Sequence, residues 1–225
     1  MIYVTGDTHG VQSRFETFGQ FDGRSWNEDD YLIVCGDFGY LFRNNAAENT
    51  FLDQLENLPY QILFVDGNHE NFPAIYSYPV EEWKGGAVHR IRKNIRHLMR
   101  GEIFEIDGKT FFAMGGAYSV DRAIREKNVS FWEEEIPSPA DYKRATENLE
   151  KCGKRVDYIL THTAPREVIL RMGYSFDLHD AELTGFLEWV MYEVSFRRWF
   201  FGHWHTDREV YDRMRAISLD VEPIG

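Results

Sequence analysis

Cysteine is nearly missing from this chain of 225 residues: there are two, Cys35 and Cys152. Two thiols so far apart build no disulfide framework, which sets the chain apart from small disulfide-stapled secreted domains. No apolar run approaches the roughly 20 residues that cross a bilayer. The opening Met1-Ile2-Tyr3-Val4 reads as a strand, with no charged segment ahead of an apolar one, so neither a secretory leader nor a membrane span is expected. No Pro/Gly/Ser-rich linker, repeat or low-complexity tract divides the chain. These absences point to a reducing cytoplasm and to one domain over residues 1–225. Positive charge is also short, with 25 Lys and Arg against 37 Asp and Glu, a formal net charge of −12. Such a surface repels polyanions and counts against general binding to nucleic acid. The exception is residues 84–100, which hold six Lys or Arg and no acid. That stretch reads as solvated surface or, more sharply, as a face turned to an anionic substrate.

Apolar and aromatic side chains are plentiful, at 43% and 16%, ample for a packed core. Short β-branched or aromatic runs predict strands at 2–5, 31–35, 61–65, 95–98, 103–106, 111–114, 158–160, 199–201 and 215–219. Helical spacing of apolar residues predicts helices over 46–57, 139–151 and 181–194. The second of these has Ser138 to cap it and Pro139 at its first position. The first third therefore alternates strand and helix, which implies parallel strands joined by crossovers. Asp107-Gly108 and Asp212-Arg213 mark two hairpins. The fold class is α/β, with two stacked mixed sheets, helices outside, and loops at the strand ends gathered along one edge.

Metal-ligand residue types recur at those strand ends. Asp7 and His9 follow the first strand, Asp37 the second, and Asn68 and His69 the third. His162 follows the run 158–160, while His203 and His205 follow 199–201. Glycines at 6, 36, 67 and 202 let the backbone turn where each strand stops. Taken singly, each motif is an ordinary turn or cap. Jointly they collect five of the eight histidines, and with the Asp and Asn oxygens they supply donors for two neighbouring cations. A cation pair makes a phosphate ester open to attack by water.

The ordered pattern DxH, GD, GNHE, H, GHxH resembles that of the calcineurin-like metallophosphoesterase superfamily, and it spans nearly the whole chain. The resemblance implies a four-layer αββα sandwich with two mixed β-sheets. It implies one divalent metal on Asp7, His9, Asp37 and His205 and another on Asp37, Asn68, His162 and His203, with Asp37 bridging. Mixed nitrogen and oxygen donors suit Mn²⁺, Fe or Zn²⁺ better than Ca²⁺. The implied reaction is hydrolysis of a phosphomonoester or phosphodiester by a metal-bridging hydroxide, with Asp37 and Asn68 in the catalytic set. His69 then protonates the leaving oxygen or steadies the charged transition state. Glu70 is expected to orient His69 or a nearby backbone group.

One departure matters. Protein Ser/Thr phosphatases of the superfamily read GDxxDRG, whereas this chain has Tyr40 and Leu41 where the second Asp and the Arg would stand. A smaller bacterial or phage-type phosphoesterase is expected instead. Arg122 and Arg125 are candidates to grip a phosphate oxygen, and residues 130–132 read as a covering loop. Two alternatives are a nuclease-like phosphodiesterase that tracks nucleic acid with residues 84–100 and a non-catalytic scaffold. Retention of the ligand and acid histidines argues against the scaffold.

Overall fold

The computed structural model describes residues 1–19 and 21–225. In chain order the first half comprises β1 (Ile2–Thr5), α1 (Gln12–Phe18), β2 (Tyr31–Cys35), α2 (Ala46–Glu56), β3 (Gln61–Val65), α3 (Phe72–Tyr76), β4 (Val80–Trp83), β5 (Gly86–Arg90), β6 (Ile95–Leu98), β7 (Ile103–Ile106) and β8 (Lys109–Met114). The second half adds α4 (Pro139–Lys151), β9 (Tyr158–Thr161), α5 (Arg166–Arg171), α6 (Ala181–Glu193), β10 (Arg198–Phe201), β11 (Arg208–Tyr211), β12 (Met214–Ala216) and β13 (Glu222–Ile224). One mixed sheet runs β13-β1-β2-β3-β6-β5-β4 and the other β11-β12-β10-β9-β8-β7.

The layering follows from alternation along the strands. In β2, Leu32 and Val34 pack outward with Phe15 of α1 and Leu52 and Leu55 of α2. Ile33 and Cys35 face the other sheet, meeting Phe111, Ala113, Leu160 and Phe200. From the second sheet, Phe112, Ile159 and Trp199 pack outward against Leu149 of α4, Val168 of α5 and Leu187 of α6. Three apolar seams thus bind helix, sheet, sheet and helix into four layers, as expected. Strands covered on both faces read as unbroken apolar runs, and β1, β2 and β9 are buried at every residue.

Some elements lie outside the sequence expectations. The hairpin β4–β5 turns at Lys84-Gly85, both at positive φ. Its edge strand is Val-Glu-Glu-Trp, half exposed, and a short charged edge strand lacks the apolar signature of a buried one. Helix α1 begins at Val11 without a side-chain cap, so no start signal marks it. The last predicted strand is shorter than 215–219. Beyond Ala216 the backbone N–H groups of Ser218, Leu219 and Asp220 all donate to the Asp207 carboxylate, which turns the chain out of the sheet.

Half of the basic residues in 84–100 are committed to ion pairs within the fold, while Lys84, Arg90 and Lys93 are exposed. Arg92 pairs with Asp53 and Arg96 with Glu81, while Arg100 pairs with Asp66, both partners of this last pair being buried.

Candidate metal centre

Every residue named from the strand-end motifs lies one to four positions past the C-terminal end of β1, β2, β3, β9 or β10. These strands are parallel within their sheets, so their ends share one edge. The backbone bends sharply there. Asp7 (φ 43°), His9 (47°), Asp37 (50°), His203 (67°) and His205 (45°) are five of the ten non-glycine residues with positive φ among those described. Left-handed backbone costs energy in residues with a Cβ and concentrates at functional sites.

The side chains converge in two groups joined by Asp37. In the first, one donor atom each of Asp7, His9, Asp37 and His205 lies within 4.8 Å of all the others. His9 Nε2 is 3.0 Å from His205 Nε2 and 3.7 Å from Asp37 Oδ2, and His205 Nε2 is 3.7 Å from Asp7 Oδ1. In the second group, Asn68 Oδ1 lies 3.0 Å from both His162 Nε2 and His203 Nδ1, and His162 Nε2 lies 3.5 Å from Asp37 Oδ1. The two Asp37 oxygens therefore face different groups. The second group is deeper, with His162 fully buried, whereas His9 and His205 are exposed at the mouth.

Orientation is set by what the other side of each candidate ligand touches. His162 Nδ1 donates to the Cys35 carbonyl at 2.9 Å, which leaves the Nε2 lone pair for the cluster. Asn68 Nδ2 donates to Ser119 Oγ at 2.9 Å, turning the amide oxygen inward. Asp7 Oδ1 accepts from the His203 N–H at 2.9 Å, while its Oδ2 is buried without a hydrogen-bond partner.

Two glycines make the crowding possible. A Cβ on Gly36 (φ +90°) would sit 2.1 Å from His162 Nδ1, and one on Gly67 would sit 2.1 Å from Asp37 Oδ1. Gly36→Ala must displace the His162 ring and strain the turn, at a cost of roughly 1–3 kcal/mol. A lowered melting temperature together with loss of bound metal is the expected outcome; a variant indistinguishable from wild type would contradict this packing.

Burial has stripped water from two carboxylates among five imidazoles. Desolvation, reinforced by the charge of Asp37, pushes Asp7 up to about 7. Desolvation pulls His9 down to about 4 and His203 down to about 3. Burial opposes charge on His162 and Asp37 as well, but their mutual attraction outweighs it. His162 is pushed up to about 10 and Asp37 is held below the carboxylate range. A bound cation would displace the proton that His162 otherwise carries on Nε2 and would set positive charge beside Asp7 and Asp37.

The surroundings show what sequence reasoning missed. Ser119, which holds Asn68, carried no signal beyond its place in a loop after a strand. Arg14 bonds the backbone oxygens of Gly6, Asp7 and Ser218 and so clamps the first ligand loop; nothing in its local sequence marks it. Glu70 is fully buried and accepts from the Phe38 N–H at 2.7 Å, so it fixes the Asp37 turn through the backbone. Of the two candidate arginines, Arg125 reaches the centre, with one Nη 2.5 Å from His69 Nδ1 and the other 2.8 Å from Ser119 Oγ. Arg122 is held instead by buried Glu135, at 2.9 Å, and by the rings of Tyr118 and Phe131. In the loop 130–132, Trp132 is buried. Trp204 stacks on Tyr174 with ring centres 4.7 Å apart.

A family model described as calcineurin-like phosphoesterase matches residues 1–207, a span that contains the whole cluster. Among solved structures, a phosphopantetheinyl hydrolase from Mycobacterium tuberculosis is similar, with a TM-score of 0.50 and 15% identity over 96% of this chain and 87% of that one. At that identity the likeness concerns the fold. No curated protein sequence matches significantly.

Proposed function

The chain belongs to the calcineurin-like phosphoesterase family, and on that footing we propose that Asp37 bridges two divalent cations at which a small phosphate ester is hydrolysed. Asp7, His9 and His205 complete one site; Asn68, His162 and His203 complete the other. The observation that carries this reading is the division of Asp37: Oδ1 faces His162 at 3.5 Å and Oδ2 faces His9 at 3.7 Å. Donor bonds of about 2.0–2.2 Å place neighbouring ligands of one ion roughly 2.8–3.6 Å apart between octahedral and tetrahedral geometry, a range that holds the 3.0 Å separations of His9 from His205 and of Asn68 from His162 and His203. Imidazole beside carboxylate and amide oxygen favours Mn²⁺, Fe or Zn²⁺.

When bound, such a cation pair neutralises phosphate oxygens and activates water for in-line attack. The chain's own part is orientation and proton handling. Arg125 has only donors, so His69 Nδ1, 2.5 Å from an Arg125 nitrogen, accepts and Nε2 carries the hydrogen. Burial lowers the His69 pKa, and the neutral ring steadies the leaving oxygen through Nε2–H. Arg125 is placed to hold a non-bridging phosphate oxygen beside it.

A small ester is favoured over nucleic acid, because Arg92, Arg96 and Arg100 of the basic stretch already pair with Asp53, Glu81 and Asp66. The test is a paired phosphomonoester and phosphodiester assay after chelation, with and without added Mn²⁺. Activity should vanish with chelator, return with the cation, and change little with salt. Chelator-insensitive hydrolysis contradicts the metal reading, and a steep fall with rising salt supports a polymeric substrate instead.

A further inference from the structure

Beside His9 and His69 a cavity of about 350 Å³ opens off the cluster. That volume lies within the roughly 300–1,000 Å³ typical of small-molecule sites. Its walls come from the segment after Asp37, which supplies Tyr40, Phe42 and Arg43, and from α2, which supplies Ala47, Glu48 and Phe51. Another cavity, of about 300 Å³ around Tyr76, His89 and Arg100, touches none of the strand-end residues.

Phe42 and Phe51 give the mixed lining its aromatic surface, with Tyr40 buried behind them, and Arg43 stands among the lining residues. Phe51 meets Tyr40 edge-on at 6.0 Å, and Phe42 lies 6.2 Å from the His69 ring and edge-on to Trp132 at 5.8 Å. Phe42 is half-buried, pinned at its edge by Trp132. Glu48 is occupied by the backbone N–H groups of Arg43 and Asn44, and Asn45 caps α2 through the Glu48 N–H. Among the described residues Arg43 bonds only through its backbone N–H, to Glu48, and its guanidinium is exposed without an ion pair. An aromatic slot with a free guanidinium at its lip suits a flat, electron-rich ring, held by stacking and by cation–π attraction.

Resting on the phosphoesterase reading above, we infer that this cavity receives the organic group of the ester and selects a planar aromatic group, such as an aryl ring or nucleobase, over an aliphatic one. The ester phosphorus then sits at the cluster while its ring lies between Phe42 and the α2 wall. His69, which lines both the cavity and the cluster, stands where the leaving oxygen joins the two.

The test uses binding, so it does not depend on turnover. Phenylphosphonate and methylphosphonate are titrated into the Mn²⁺-loaded protein by calorimetry. Phenylphosphonate should bind roughly 5–150-fold more tightly than methylphosphonate, the range that stacking of one ring on an aromatic side chain gives. Phe42→Ala should reduce that ratio to near one. Ala47→Trp, at an exposed position on α2, fills the cavity without entering the core and should do the same. Equal affinities in the wild type, or a ratio that survives both substitutions, overturn the inference. Failure of the underlying reading shows separately, as hydrolysis indifferent to chelator in the parallel assay.

Discussion

Asp37→Asn is expected to abolish turnover and to weaken both cations at once. Asp37 is the one side chain shared by the two donor groups, with Oδ1 toward His162 and Oδ2 toward His9. An amide offers one oxygen and one NH₂, so whichever way it turns, a donor hydrogen faces a site meant for a cation. The charge lost is also the main counterweight to the imidazoles, since Asp37 raises both His162 and His9 against burial. A cation pair is worth several kcal/mol to a phosphoryl transition state. At about 1.4 kcal/mol per tenfold, a fall in kcat on the order of 10³-fold or more follows. Elemental analysis of the purified variant beside its kcat checks both halves. Full occupancy with normal turnover would remove Asp37 from the bridging position.

His69→Ala separates chemistry from ligation. It should cut the rate by roughly 10²–10³-fold, the usual worth of one positioned hydrogen-bond donor at a developing oxyanion, with metal content close to wild type. The reason is visible in the backbone: the His69 main-chain N–H donates to Asp37 Oδ1 at 2.8 Å, and alanine keeps that bond. The imidazole is held apart from the ligand nitrogens by Arg125. The loss should be greatest for esters with poor leaving groups, where help at the departing oxygen matters most. An emptied metal position in this variant would make His69 a ligand and reverse its assignment.

Much of the architecture was legible because buried parallel strands announce themselves. β1, β2, β3 and β6 fall at the boundaries read from their apolar runs, and α4 at those set by Ser138 and Pro139. The edge hairpin β4–β5 and the strand β13 were not legible, since exposed or three-residue strands carry no periodic signal. Strand β12 stops at Ala216, short of the expected 219, because the Asp207 carboxylate captures the next N–H groups, a contact across more than ten residues. The supports of the centre escaped for a similar reason. Ser119 reaches Asn68 from 51 residues away, and Arg14 reaches Ser218 across 204.

The chain's order of letters was enough to name which donor atoms exist and that each follows a strand, because residue type and strand termination are local properties. It could not say that the two Asp37 oxygens would point at different partners, that Arg125 and not Arg122 would reach His69, or that an aromatic slot would open beside them. Those outcomes depend on packing two sheets face to face, which brings residue 7 to within bonding distance of residue 203. No short stretch of sequence contains both halves of such a contact.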